Sequence, residues 1–224
     1  MVALDVNTGK LKWFFQYTPH DVHDWDAVQI PVLLDIEFKG KPRKLLVQAN
    51  RNSFYYVLDR TNGEFLHASP FARQTWAKEI SPDGQPVVLP GTDPTPDGNY
   101  VCPGVEGGTN WMSPSYSPQT GLFYVVAREK CSIYFNSPQK YEEGSVFWGS
   151  SFQPVANEKE WGALRALDPS TGRLKWEFKY YSAPWAGALS TAGGLVFSGD
   201  MEGYLLAVDA KTGEHLWHFQ TGSP

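Results

Sequence analysis

Long apolar runs are missing from this 224-residue chain; no stretch approaches the roughly 18 residues that a membrane-spanning helix needs. Basic charge is not in excess: 19 Lys and Arg stand against 24 Asp and Glu, for a net charge of −5. That balance argues against a nucleic-acid or anionic-membrane surface, which needs clustered positive charge. Cysteine is scarce. Cys102 and Cys131 have no CxxC spacing, so neither reads as part of a metal site. The phosphate-binding GxGxxG and GxxxxGK[ST] patterns, the GxSxG nucleophile elbow and the zinc-binding HExxH are all absent. Almost no segment carries helical periodicity. The first residues lack the basic start, apolar run and small-residue cleavage site of a secretory leader; Met1 passes at once into Val2-Ala3-Leu4-Asp5. Of a cytoplasmic protein and a chain that begins inside a longer one, the repeats below favour the second.

What is present points to strands. Hydrophobic residues make up 42% and charged residues 19%, enough for a packed core. There are 9 Trp, 21 Gly and 17 Pro, which suits short strands joined by turns. One pattern recurs in Ala3-Leu4-Asp5 to Trp13, Ala166-Leu167-Asp168 to Trp176 and Ala207-Val208-Asp209 to Trp217. In each copy a Gly follows the Asp by four residues and a Trp follows it by eight. Val57-Leu58-Asp59 to Gly63 is a weaker copy, and Ser117-Pro118-Gln119-Thr120-Gly121 keeps only the turn. The Asp ends a strand and accepts backbone N–H groups, the Gly supplies positive φ, and the Trp packs between sheets. Anchors at 5, 59, 117, 168 and 209 read as propeller blades, an all-β fold. Lys44–Ala49 with Phe54–Leu58, Leu122–Ala127, and Gly194–Gly199 with Gly203–Val208 are the clearest strands. Residues 81–108, rich in Gly and Pro, read as a long surface loop of one domain spanning 1–224.

The most unusual segment is Thr18-Pro19-His20-Asp21-Val22-His23-Asp24-Trp25-Asp26. In extended chain Asp24 and Asp26 share a face. They repel unless a cation lies between them, and hard cations take several oxygen ligands. The pair suits a metal ion or acid/base work, with one pKa raised by the other. An exposed polar loop with His20 and Asp21 capping a turn reads equally well from the spacing. A hydrolase using Asp21 and Asp24 is a further reading, and it requires two carboxylates facing a sugar-sized cleft.

The blade turns and this cluster, with Asn50-Arg51-Asn52, Gly108-Thr109-Asn110-Trp111, Pro184-Trp185-Ala186-Gly187 and Ala192-Gly193-Gly194, resemble the pyrroloquinoline-quinone (PQQ) dependent alcohol dehydrogenases, the methanol and ethanol dehydrogenase type quinoproteins. The resemblance covers essentially the whole chain. It implies an eight-bladed periplasmic β-propeller, of which this chain is about the C-terminal half. It implies PQQ with Ca²⁺ or a lanthanide ion, oxidation of a small primary alcohol to an aldehyde, and a cytochrome c electron acceptor. It leaves room for a homodimer and for membrane association only through partners. Asp24 matches the catalytic carboxylate and Asp26 an added metal carboxylate of lanthanide-dependent members. Arg51, Asn110 and Trp185 match cofactor contacts. Arg51 also reads as a solvated turn residue, and Trp111 as a pocket wall or, more readily, as core.

There are departures. His23 stands where the family has Trp, which puts the substrate in doubt. The family's remaining metal ligands, its Trp floor and its adjacent-cysteine disulfide lie upstream, so the chain alone is not expected to assemble the site. In a protein of periplasmic type, Cys102 and Cys131 read as a disulfide or as two separate thiols. The alternative from another class is a non-catalytic quinoprotein-like propeller that acts as a protein-binding scaffold.

Overall fold

The computed structural model describes residues 1–223. Two strands open it, β1 (Val2–Leu4) and β2 (Leu11–Phe14), paired antiparallel. The first complete blade follows as β3 (Val32–Phe38), β4 (Lys41–Ala49), β5 (Phe54–Asp59) and β6 (Phe65–Pro70), hydrogen-bonded in chain order. A linking region carries β7 (Ala77–Ile80), β8 (Pro86–Val88) and β9 (Asn99–Val101). The second blade is β10 (Ser115–Ser117), β11 (Leu122–Glu129), β14 (Trp161–Leu167) and β15 (Leu174–Tyr180). Between β11 and β14 a hairpin, β12 (Ser132–Asn136) and β13 (Ser150–Pro154), leaves the blade and pairs with β9. The third blade is β16 (Leu189–Ser190), β17 (Leu195–Gly199), β18 (Tyr204–Asp209) and β19 (His215–Gln220). The described residues contain no helix.

The inner strands are buried on both faces, so alternation splits their side chains between two cores. Phe54, Tyr56 and Leu58 of β5 face Phe15, Tyr17, Trp25 and Trp76, while Tyr55 and Val57 face Phe123, Val125 and Leu167 of the second blade. Tyr124 and Val126 of β11 turn the other way, onto Val196, Leu206 and Val208 of the third. Every such core lies between blades, and no sheet closes on itself.

The repeated turn explains how blades dock. Asp5, Asp59, Asp168 and Asp209 each accept backbone N–H groups of their own turn; Asp5 joins the opening strand pair, and the other three join the third strand of a blade to the fourth. The Trp eight residues on does not serve its own blade. Trp13 Nε1 donates to Arg60 O at 3.1 Å, and Trp176 Nε1 to Ala210 O at 3.1 Å, each on the turn of the following blade. In the weaker copy His67 occupies the Trp position, and its Nε2 meets Thr171 O at 2.9 Å. Trp217, the last copy, is 47% exposed. Val2, Leu4, Leu11 and Phe14 at one end, and Leu216 and Phe219 at the other, are exposed as well.

Two expectations need correction. The Ser117–Gly121 turn joins the first and second strands of its blade, so it is not a fifth copy, and the second blade spans the interval from 115 to 180. The stretch 81–108 is not bare loop: β8 and β9 lie in it, held by β7 and β12. Proline content hid these three-residue strands, which pair only at edges.

Gly213 sits at φ 74°, and a Cβ there would overlap the Trp176 ring. Gly9 has nearly the same φ, 67°, with open space beside it. Gly213→Ala is therefore expected to cost both the left-handed penalty and the docked ring, about 2–4 kcal/mol in all, and Gly9→Ala only about 1–2 kcal/mol. Denaturant unfolding of the two variants checks this; equal losses would show that the docked Trp contributes nothing.

Candidate functional site

The acidic segment is built around its buried members. Asp21 caps it: Oδ1 accepts from His23 N at 2.8 Å and Oδ2 from Trp25 N at 2.6 Å. His23 and Trp25 turn inward, stacked at 4.3 Å. Trp25 Nε1 donates to Gly104 O, and the His23 ring meets Thr92 O at 2.7 Å. A carbonyl only accepts, so His23 Nε2 carries the proton. Burial pushes the His23 pKa down, so the ring is neutral there. With residues 23 and 25 inside, Asp24 and Asp26 are left on the outer side, lining one cleft of about 1050 Å³ with Asp93. The segment is not a strand: Asp24 has φ 65°. The inward anchoring, rather than extended geometry, is what puts both carboxylates on one side.

Arg51 reaches this cleft from the β4–β5 turn. Its neighbours Asn50 and Asn52 are fully buried; Asn52 Nδ2 bonds Thr18 Oγ1 at 3.0 Å and Tyr56 OH at 2.9 Å, tying the turn to the start of the acidic segment. Arg51 N donates to Gln29 Oε1, and Nε and Nη2 both donate to Val105 O. Nη2 lies 3.5 Å from Asp24 Oδ2. Nη1 has no protein acceptor among the described residues, which leaves one edge of the guanidinium free. A Cβ on Gly107, at φ 81°, would fall on Arg51 Cγ, so only glycine lets the 104–108 loop close here.

The same loop carries Asn110, whose Nδ2 donates to Glu106 O at 2.9 Å and whose Oδ1 accepts from Trp111 N. Trp185 stands one relay further on. It stacks near-parallel to Trp111 at 6.3 Å, with the Arg128 guanidinium over its ring at 4.0 Å. Trp111 is 62% exposed and not in the core, because its partner is another surface indole. The structure thus brings Asp24, Asp26 and Arg51 together and joins Asn110 to them through one loop; Trp185 is linked only through Glu106 and Arg128.

Comparisons with known proteins bear on this geometry. Residues 1–90 match the family model described as the glucose/ethanol/alcohol dehydrogenase β-propeller domain, and residues 139–224 match that of the outer membrane protein assembly factor BamB. Quinoprotein alcohol dehydrogenase PedH of Pseudomonas putida is 41% identical over 99% of this chain and 39% of its own length. A lanthanide-dependent methanol dehydrogenase of Methylacidiphilum fumariolicum is 38% identical over 97% of this chain and 37% of its own. The solved structure of a europium-containing methanol dehydrogenase superposes with a TM-score of 0.92 at 38% identity, covering 99% of this chain and 40% of that one. Over nearly its whole length the chain is similar to quinoprotein alcohol and methanol dehydrogenases. It spans about two fifths of the length of the relatives it matches.

Several residues that line the cleft or hold Arg51 had no signal in the sequence. Asp93, Phe147 and Trp148 line the Asp24 cleft, yet they come from stretches without a motif. Gln29 and Val105, which hold Arg51, act through a side-chain amide and a backbone carbonyl. The Gly104–Gly108 run was visible as a glycine-rich loop, but nothing local showed what it closes on. Cys102 and Cys131 form a disulfide at the root of that loop.

No group of three or more His, Cys, Asp or Glu side chains with metal-holding geometry occurs among the described residues. Asp24 titrates above the usual carboxylate range: partial burial raises it, Arg51 opposes, and Asp26 and Asp21 add to the rise. In the metal-free chain, Arg51→Met is expected to move the Asp24 pKa further up and Asp26→Asn to move it down. Site-resolved carboxyl NMR titration checks both, and shifts of the same sign would show that the three groups are not coupled as the distances indicate.

Proposed function

We propose that this chain carries the carboxylate base and the cofactor-facing arginine of a PQQ-dependent alcohol dehydrogenase that oxidises small primary alcohols to aldehydes. The observation that supports it most is the approach of Arg51 to the cleft-lining Asp24 at 3.5 Å, from positions 27 residues apart.

The residues present fit such a cofactor and ion. Asp24 and Asp26 are hard oxygen donors lining one cleft, and the Asp26 charge adds to the upward shift that partial burial gives Asp24. The free edge of Arg51 and the Trp185 indole suit an anionic planar ring. Asp24 and Asp26 would hold Ca²⁺ or a lanthanide ion, and Arg51, Asn110 and Trp185 would hold PQQ. When bound, PQQ polarised by the ion supplies the hydride-accepting carbonyl.

This chain's own part is proton and charge management. Asp24 Oδ takes the proton of the substrate hydroxyl. Arg51, fixed by Val105 O, holds its positive charge where negative charge collects and keeps the Asp24 carboxylate oriented. Neutral His23 adds no competing charge beneath it. Tyr134, 3% exposed, and Val105 form the apolar side of the cleft. Electrons pass on to a cytochrome c, in the periplasm, as in the dehydrogenase class the chain resembles.

Two other readings fare worse. The hydrolase reading needs Asp21 free, but both its oxygens accept backbone N–H groups. The scaffold reading draws support from the match of residues 139–224 to an assembly-factor family, yet Asp24, Asp26, Arg51 and Asn110 all lie outside that region.

In the full-length holoenzyme, Asp24→Asn is expected to lower kcat by roughly 10²–10⁴-fold while substrate still binds. Steady-state kinetics tests it, and a wild-type rate would sink the assignment. The isolated 224 residues offer two carboxylates against the six to eight oxygens a Ca²⁺ ion takes, so they are expected to turn over no alcohol with PQQ and cation supplied. A dye-linked assay showing turnover would overturn that.

A further inference from the structure

Arg128, on β11, is unusual among the charged residues of this chain in being almost wholly buried, its side chain 2% exposed. Every direction from it leads to a part of the site. Its backbone N–H donates to Gly108 O at 2.8 Å. Nη2 pairs with Glu106 Oε2 at 2.9 Å, and the Glu106 carbonyl in turn accepts from Asn110 Nδ2. Nη1 donates to Pro184 O at 2.5 Å and Ala183 O at 3.3 Å, the two residues before Trp185. The guanidinium plane lies 4.0 Å over the Trp185 ring. Only Nε lacks a partner.

A buried charge of this kind is weak evidence for stability but an effective way to fix geometry, since each departure leaves a charge unpaired. Only a guanidinium can bond two successive carbonyls, pair a carboxylate and stack flat on an indole at once. A lysine keeps the charge and loses the plane.

We propose that Arg128 is a positioning residue, setting the Trp185 indole and, through Glu106, the Asn110 amide at one fixed separation for the PQQ ring. This rests on the reading that Asn110 and Trp185 contact the cofactor. Loop 104–111 and link 183–187 belong to different segments, and Arg128 is the side chain that bonds both.

The test uses the full-length protein with Arg128→Lys, Arg128→Met and Trp185→Phe. Circular dichroism reads the coupling of the Trp111–Trp185 indole pair, isolated as a difference against Trp111→Phe. Titration of the cation-supplied apoprotein with PQQ, followed by tryptophan quenching, reads cofactor affinity. Arg128→Lys keeps Glu106 paired and so keeps the fold; it is expected to abolish the indole signal and weaken PQQ about tenfold. Arg128→Met is expected to weaken it further. An unchanged indole signal and unchanged PQQ affinity in Arg128→Lys and Arg128→Met would overturn the assignment. Unchanged PQQ affinity in Trp185→Phe would instead overturn the cofactor reading beneath it.

Discussion

Five residues, Gly104 to Gly108, hold the site together through their backbone. Gly104 O receives Trp25, Val105 O receives Arg51 twice, Glu106 O receives Asn110, and Gly108 both donates to Arg51 O and accepts from Arg128 N. Few side chains enter this scheme, which is why the loop tolerates no Cβ at Gly107 and why its sequence looks featureless. A packed glycine loop exchanges conformational entropy for close approach, and here the approach places a guanidinium beside a carboxylate. The disulfide from Cys102 to Cys131 anchors the loop at its first turn, and Gly104 N donates to Lys130 O beside it.

The electrostatics of the cleft are unbalanced by construction. Four carboxylates, Asp21, Asp24, Asp26 and Asp93, line it. Asp21 is consumed by its turn; partial burial holds Asp24 above its ordinary pKa, Arg51 opposes this, and Asp26 and Asp21 add to it. Such an arrangement is uncomfortable for a resting protein and useful for one that binds a cation, since the strain is relieved on binding. Beneath it the neutral His23–Trp25 stack is a dry floor that keeps the local dielectric low.

Much of the architecture was legible because it is local. The Asp–Gly–Trp turn encodes its own hydrogen bonds within nine residues, so blade positions followed from reading it, and Asp24, Asp26 and Arg51 stood out by residue type. The misreadings came where partners are distant. Ser117–Gly121 shares the turn chemistry but occupies another place in its blade, a distinction that only strand pairing reveals. For Trp111 the aromatic type favours core over pocket wall; its exposed place beside a cavity is shared with Trp185, 74 residues away. Asp93, Gln29 and Val105 carry no type-specific signal at all. A carbonyl that catches an arginine is invisible in any one-letter string.

Because Trp13, His67 and Trp176 each seat on the turn of the blade that follows, neighbouring blades are joined in one direction along the chain. A blade supplies the hook and its successor the eye. Asp24 lies between the opening strand pair and the first complete blade, and Gly104–Gly108 between the first and second. The proposed site therefore lies at joints closed by such hooks, the first by Trp13 and the second by His67.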